Sequence, residues 1–151
     1  MRYPLTVTTL GGRTAVVIGG GIVGERKVRS LLAGEVPVRL VSPSATEQIT
    51  AWAESGKIEW ARRSYREGDL DDAALVFAAT NVRNVNHEIA VAAHRKKLLV
   101  NVADAPAEGN FHSPAVTRKD DLIVSVSTYS GRPGNATSAR DRIAALLDRE
   151  P

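Results

Sequence analysis

Thr14-Ala15-Val16-Val17-Ile18-Gly19-Gly20-Gly21-Ile22-Val23-Gly24 is the stretch on which the fold turns. Its first half is a short, nearly continuous apolar run, the pattern of a strand buried on both faces of a parallel sheet. Its second half spells G-x-G-x-x-G through Gly19, Gly21 and Gly24. In that motif the first glycine turns the chain out of the strand, the second lets backbone approach a pyrophosphate, and the third lets the next helix pack on the strand. Glu25 to Ala33 supplies the helix, with Val28, Leu31 and Leu32 on one face and Gly34 as its stop. The free N–H groups and positive dipole end of that helix suit phosphate. The reading is the phosphate-binding turn of a Rossmann-type, dinucleotide-binding domain.

Working outward, Val36 to Val41 reads as a second strand with Pro37 near its start, Thr46 to Ser55 as a helix and Ile58 to Trp60 as a short strand. Leu75 to Ala79 is a further apolar run, Val85 to Lys96 a helix with Ile89, Ala90 and Ala93 on one face, and Leu98 to Val102 the next strand. Repeated strand–helix–strand units predict a parallel α/β sheet with right-handed crossovers. After Asp104 the pattern changes. Phe111 to Val116 and Leu122 to Thr128 read as strands around a polar turn at Arg118 to Asp121, and Gly131 to Gly134 links them to a final helix over Ala136 to Asp148. The expected organisation is a Rossmann domain over 1–111 and a small strand/helix segment over 112–151.

The usual fingerprint places an acid at the end of the second strand for the ribose hydroxyls. Here Ser42-Pro43-Ser44 stands there, and Arg39 lies inside the strand, away from a 2′-phosphate. On the residues alone the choice between NAD and NADP stays open.

Composition narrows the classes. The chain of 151 residues is 43% hydrophobic and 25% charged, an ordinary globular balance. It has no cysteine, which excludes disulfides, thiolate metal sites and cysteine nucleophiles, and a cytoplasmic setting is expected. Met1 to Leu10 lacks the pattern of a signal peptide, and no apolar stretch approaches the ~20 residues that cross a bilayer, so no membrane partner is expected. The net charge of +3 is scattered among acids, which argues for a solvated surface or a small polyanionic ligand rather than nucleic acid. His87, His94 and His112 show no metal-ligand spacing, and no resident metal is expected.

Together, Gly19-Gly20-Gly21-Ile22-Val23-Gly24-Glu25-Arg26-Lys27, Ala78-Ala79-Thr80, Val85-Asn86, Val100-Asn101-Val102-Ala103-Asp104, Phe111 with Pro114-Ala115, and Val124-Ser125-Val126-Ser127-Thr128 resemble the precorrin-2 dehydrogenase family, the N-terminal module of siroheme synthase. The resemblance runs from about residue 5 to residue 142. It implies oxidation of precorrin-2 to sirohydrochlorin with NAD as hydride acceptor, some members also inserting Fe²⁺ to give siroheme. It implies that Asp104, the aspartate of V-N-V-x-D, serves proton transfer. It implies cofactor contacts from Gly19, Gly20, Gly21, Ile22, Val23, Gly24, Ser42, Pro43, Ser44 and Thr80. The family usually lacks the ribose-binding acid, so Ser42-Pro43-Ser44 is consistent with it. Asn101, Ser127 and Thr128 fall at substrate-site positions, and a homodimer formed through about 112–150 is implied.

Other features qualify this. A carboxylate-rich macrocycle makes Arg118, Lys119, Arg132 and Arg140 candidate partners. The segment Tyr129 to Ser138 departs from the family's S-T-x-G-x-S-P pattern, which bears on substrate contacts and helix docking. The chain ends at Pro151, short of the helical C-terminal subdomain of longer members, which favours dehydrogenation over chelation as the expectation. The alternative from another class is an NAD-sensing regulatory module without tetrapyrrole chemistry.

Overall fold

The computed structural model describes residues 3–128 and 133–148. It divides into two compact units, Val7–His112 and the combination of Met1–Thr6 with Ser113–Pro151.

The larger unit is built on a five-stranded parallel sheet of order β3-β2-β1-β4-β5, with β1 at Thr14–Gly20, β2 at Val38–Ala45, β3 at Glu59–Ala61, β4 at Ala73–Ala78 and β5 at Leu99–Val102. Chain order runs outward from β1 through β2 to β3, then resumes at β4 on the other side of β1. The β1/β4 seam is therefore the topological switch point, where ligands of open α/β sheets bind at the carboxyl ends of the strands. The helices α1 (Ile22–Leu32), α2 (Glu47–Glu54) and α3 (Arg83–Arg95) complete the crossovers.

Strand alternation sorts the core into two layers. Ala15, Val17, Val38, Leu40 and Phe77 pack with Val28 and Leu31 of α1 and Ile49 of α2. Val16, Ile18, Val41, Val76, Val100 and Val102 pack with Ile89, Ala90, Ala92 and Ala93 of α3. Both faces of β1 are thus covered, which is why its sequence is continuously apolar instead of alternating.

Three departures from the sequence-based expectation have local causes. First, α1 starts at Ile22 rather than Glu25, because Gly21 is its N-cap in an extended conformation (φ −79°, ψ −173°) directly after β1. Second, β2 extends past Val41 through Ser42-Pro43-Ser44 to Ala45, opposite Gly20. Its start shifts to Val38, while the Pro37 carbonyl still accepts a bond from the Ala15 N–H. Third, Phe111 does not open a strand. Gly109 to Phe111 lies against the free edge of β5: the Asn110 N–H donates to the Val100 carbonyl, its Oδ1 accepts from the Val100 N–H at 2.7 Å, and its Nδ2 donates to the Leu98 carbonyl. One asparagine so imitates a pairing strand and covers an edge that would otherwise be open.

In the second unit β6 (Ala115–Lys119) and β7 (Leu122–Val126) form an antiparallel hairpin. Arg118 and Lys119 belong to β6 and not to the turn, which is Asp120-Asp121, with Asp120 at φ +50°. Aspartate tolerates that left-handed conformation better than most residues. The helix α4 (Pro133–Leu147) packs on the hairpin; the Arg140 guanidinium donates to the Val116 carbonyl and the Lys119 ammonium to the Leu147 carbonyl. Among the described residues no helix is long and apolar enough to cross a membrane.

Two predictions follow from the packing. Leu40 is fully buried, and Leu40→Ala is expected to cost about 2–5 kcal/mol, read as a lower urea midpoint with unchanged slope. Asp69 is buried, accepts two bonds from Arg63 (2.6 and 2.9 Å) and one from the Arg66 N–H, and these hold its carboxyl below the usual aspartate range, Arg63 contributing most. A lowered folded pKa gives stability that is present above the unfolded value of about 3.9 and is lost as pH falls through the folded value. Asp69→Asn should therefore destabilise at pH 7, and the gap from wild type should narrow in melts as pH falls below about 3.9.

Candidate functional site

The carboxyl ends of β1, β2, β4 and β5 carry almost all the candidate residues of the larger unit, and three of the four glycines after Ile18 divide the work of holding them close. Gly19 has φ +112°, and a Cβ there would lie 2.6 Å from the Ala79 carbonyl carbon and 2.8 Å from the Thr80 nitrogen. It thus brings β1 against the end of β4. Gly20 is pressed on Ser44 and Ala45, where a Cβ would stand 2.9 Å from the Ala45 Cα, closing β1 on the end of β2. Gly24 abuts the Gly19 carbonyl oxygen, which seats α1 on the strand. Gly21 differs from all three: a Cβ there meets nothing within 4 Å. The position that the motif reserves for approach of a pyrophosphate is the one facing open space.

The helix start is equipped for an anion. Gly21 provides no side-chain cap, and the first intrahelical bond runs from the Glu25 N–H to the Gly21 carbonyl at 2.8 Å. The amides of Ile22, Val23 and Gly24 precede it and have no partner within the helix. Ile22 is 75% exposed, an apolar side chain left uncovered beside the turn. These residues fit a dinucleotide phosphate held by backbone rather than by charged side chains.

Ser42 is placed as a strut. Its Oγ accepts from the Gly20 N–H at 2.9 Å and donates to the Ser44 carbonyl at 2.7 Å, while the Trp60 indole N–H donates to the Ser42 carbonyl. With its hydroxyl hydrogen engaged and its side chain buried, Ser42 shapes the site from beneath, and Pro43 and Ser44 are the exposed residues at the tip of β2. Thr80, at the end of β4, is fixed by Asn86. The Asn86 Oδ1 accepts from both the Thr80 N–H (3.1 Å) and its hydroxyl (2.7 Å), and the Asn86 Nδ2 donates to the Thr80 carbonyl. Asn86 is completely buried in the stripe formed by Ile89, Ala90 and Ala93. An asparagine at helical spacing within an apolar face was the sequence signal for this clamp, though the motif alone assigned it no role.

Asn101 is also buried, and its Nδ2 donates to the Phe111 carbonyl at 3.1 Å, tying the segment after the loop to β5. Asp104 sits on that loop, which is pinned at one end by the Ala103 N–H on the Ala78 carbonyl and at the other by Asn110 on Val100. The Asp104 side chain remains 37% exposed, with Arg83 Nη1 3.6 Å from its Oδ1. The same guanidinium pairs with Glu108. His87 Nδ1 lies 3.0 Å from Glu108 Oε2, and His94 Nε2 lies 2.8 Å from the Glu108 carbonyl oxygen. Two histidines two turns apart on α3 thus meet one residue, through its side chain and its backbone. Arg83 first, then His87, hold the Glu108 carboxyl below the usual range. Among the described residues no group of three or more His, Cys, Asp or Glu is arranged to hold a metal ion.

On the other face of the sheet Lys27 lies over the Phe77 ring at 5.6 Å, and Phe77 meets Phe111 edge-on at 5.3 Å. Burial pushes the Lys27 ammonium below its ordinary pKa, with Arg26 adding to the shift. Ser127 and Thr128 follow β7 in the second unit, where Arg118 is exposed and Lys119 and Arg140 are engaged by backbone carbonyls of that unit. Arg132 and much of the departing segment, residues 129–132, lie outside the described residues.

Residues 7–115 match the sequence profile of a family described as putative NAD(P)-binding. The siroheme synthase of Xylella fastidiosa (strain M12) is 38% identical over 148 residues, covering 97% of this chain and 31% of that protein. That of Pseudomonas entomophila (strain L48) is 37% identical over 144 residues, covering 95% of this chain and 31% of that protein. The chain thus spans about a third of the length of these curated relatives. Among solved structures, SirC, a precorrin-2 dehydrogenase, superposes with a TM-score of 0.79 at 25% identity, over 96% of this chain and 71% of that one.

The different surroundings of Gly21 and Gly24 make a paired test. Gly21→Ala is expected to fold with a loss of about 1 kcal/mol or less from the N-cap change, yet to lose most dinucleotide affinity, because its methyl group occupies the open face. Gly24→Ala is expected to lower the melting temperature strongly, because backbone and not a flexible side chain must yield. Thermal melts with and without NAD⁺ separate the two effects.

Proposed function

Because the chain belongs to the family of putative NAD(P)-binding proteins, we propose that it is an NAD-dependent dehydrogenase acting on precorrin-2, the oxidative step on the way to siroheme. The observation that carries this reading is the convergence, at one sheet edge, of a glycine turn with an open face at Gly21 and a pinned loop presenting a carboxylate, Asp104.

In this reading Gly19, Gly20, Gly21, Ile22, Val23 and Gly24 receive the pyrophosphate, Pro43 and Ser44 border the ribose, Ser42 braces the turn, and Thr80 borders the cofactor from β4. NAD⁺ supplies the hydride acceptor. The work left to the chain's own groups is positioning and proton transfer. Desaturating a reduced tetrapyrrole releases protons as well as hydride, and Asp104, partly exposed at the carboxyl edge, is the base proposed to take one. A positioned base of this kind contributes typically ~10²–10⁴-fold. Asn101 orients the loop from beneath, through Phe111, which makes its contribution to substrate binding an indirect one.

Residues 1–111 are proposed as the cofactor domain and 112–151 as the segment for dimerisation and substrate binding, with Ser127 and Thr128 offering hydroxyls to the macrocycle. Leu122, Ile123 and Leu146, all more than half exposed, support a homodimer, since a hairpin and one helix present apolar side chains that a second copy can cover. A cytoplasmic location is proposed on the absence of cysteine.

Asp104→Ala is expected to lower NADH formation from precorrin-2 and NAD⁺ by about 10²–10⁴-fold while leaving NAD⁺ affinity within twofold of wild type. Full turnover in that variant would remove Asp104 from the reaction. NAD⁺ binding without turnover in the wild-type protein would favour a sensing module instead, and adding Fe²⁺ to the product tests whether the chain continues to siroheme.

A further inference from the structure

We propose that Arg83 is a positioning residue for Asp104, holding the carboxylate in its working orientation from the first turn of α3, with Glu108 and His87 bracing the guanidinium from behind. The inference rests on the role of Asp104 given above. Four observations carry it.

The first is geometric. Among the described residues, the basic group within ion-pairing distance of Asp104 is Arg83, at 3.6 Å. The loop backbone is pinned at Ala103 and Asn110, but the side chain of Asp104 is more than a third exposed and is otherwise steered by solvent. A half-exposed carboxylate on a loop samples several rotamers, and a base works only within hydrogen-bond reach of the proton it abstracts.

The second is the local cost. Arg83 is the first residue of α3, whose first turn carries no acid, and Val82 provides no side-chain cap. A cation at a helix N-terminus opposes the helix dipole. Placing arginine there breaks a local rule, and such breaks gather at functional sites. The opposing term is offset by two carboxylates from a different part of the chain, Asp104 and Glu108.

The third is the fork. Arginine presents several N–H donors in a rigid plane and can serve two carboxylates at once. Here Nη2 goes to Glu108 Oε1 and Nη1 faces Asp104 Oδ1. The pair with Glu108 anchors the guanidinium, and its other nitrogen is thereby aimed at Asp104. Glu108 holds the Arg83 cation above its ordinary pKa, Asp104 contributing less, so the guanidinium stays charged throughout any working range.

The fourth is the brace behind Glu108. His87 meets its side chain and His94 its carbonyl, so the 3-10 turn at Pro106–Glu108 is fastened to α3 at two levels, with Asp104 two residues before its start. Moving α3 relative to this loop would therefore move Asp104.

The test is a double-mutant cycle on the full chain, in steady-state kinetics with precorrin-2 and NAD⁺. Arg83→Ala is expected to lower kcat by roughly 10- to 100-fold, as misplacing a reacting group does. NAD⁺ affinity and melting temperature should stay near wild type, because exposed ion pairs contribute little to stability. In an Asp104→Ala background the same substitution should change kcat by less than twofold, since a residue that acts through Asp104 has nothing left to position. Arg83→Lys should recover part of the rate, and Glu108→Gln should show a smaller loss that also vanishes without Asp104. Wild-type kcat in Arg83→Ala, with Asp104→Ala impaired, overturns the positioning role alone. Losses that multiply in the double variant, with a raised KM for precorrin-2, also overturn it and make Arg83 a direct substrate contact. Full turnover in Asp104→Ala overturns the base assignment and the inference built on it together.

Discussion

Gly24 rests against the carbonyl oxygen of Gly19, with no room for even one carbon between helix and strand. Everything at the site depends on this approach. It sets how near the start of α1 comes to the end of β1, and so where the free amides of the first helical turn stand. The chain passes from β1 to α1 through Gly21 alone, with Gly19 at a positive φ that other residues rarely adopt. Gly19 there contacts Ala79 and Thr80 on one side, and Gly20 contacts Ser44 and Ala45 on the other. The turn is gripped by both neighbouring strands, and its remaining glycine, Gly21, is left facing outward.

Around this turn, short polar side chains do the positioning. Ser42 bridges β2 to Gly20, Asn86 binds both backbone groups of Thr80, Asn101 reaches the Phe111 carbonyl, and Asn110 substitutes for a missing strand at β5. Each satisfies backbone that would otherwise be buried or left at an edge without a partner. Three of the four, Ser42, Asn86 and Asn101, are themselves buried, so the polar groups nearest the glycine turn form a rigid cradle instead of a flexible rim. The charged cluster of Arg83, Asp104, Glu108 and His87 lies at the same edge of the sheet but toward solvent.

Elements whose identity is written in local periodicity were legible without coordinates. The apolar runs at Ala15–Ile18, Val76–Ala78 and Val100–Val102 and the stripes at Val28/Leu31 and Ile89/Ala93 define strands and helices because burial on one or two faces imposes a period on the sequence. The glycine spacing declared its own role, since close approach and a positive φ admit no other residue. Boundaries were less legible. The end of β2 depends on Gly20 lying alongside it, and Phe111 opens no strand because its segment is tethered to β5.

By itself, then, the sequence determined a parallel α/β sheet with a phosphate-type turn at its first strand, and Asp104 was singled out through the resemblance of its block of neighbours to a known family. Only the tertiary structure decided that Gly20 is pressed on the end of β2, that Ser42 and Asn101 brace rather than protrude, and that Arg83, Glu108 and His87 gather beside Asp104. The reason is range. A period or a turn is set by residues within a few positions, whereas Arg83 and Asp104 stand 21 positions apart and meet because they follow the carboxyl ends of the paired parallel strands β4 and β5. No local pattern encodes that meeting, since it exists only once the strands have paired.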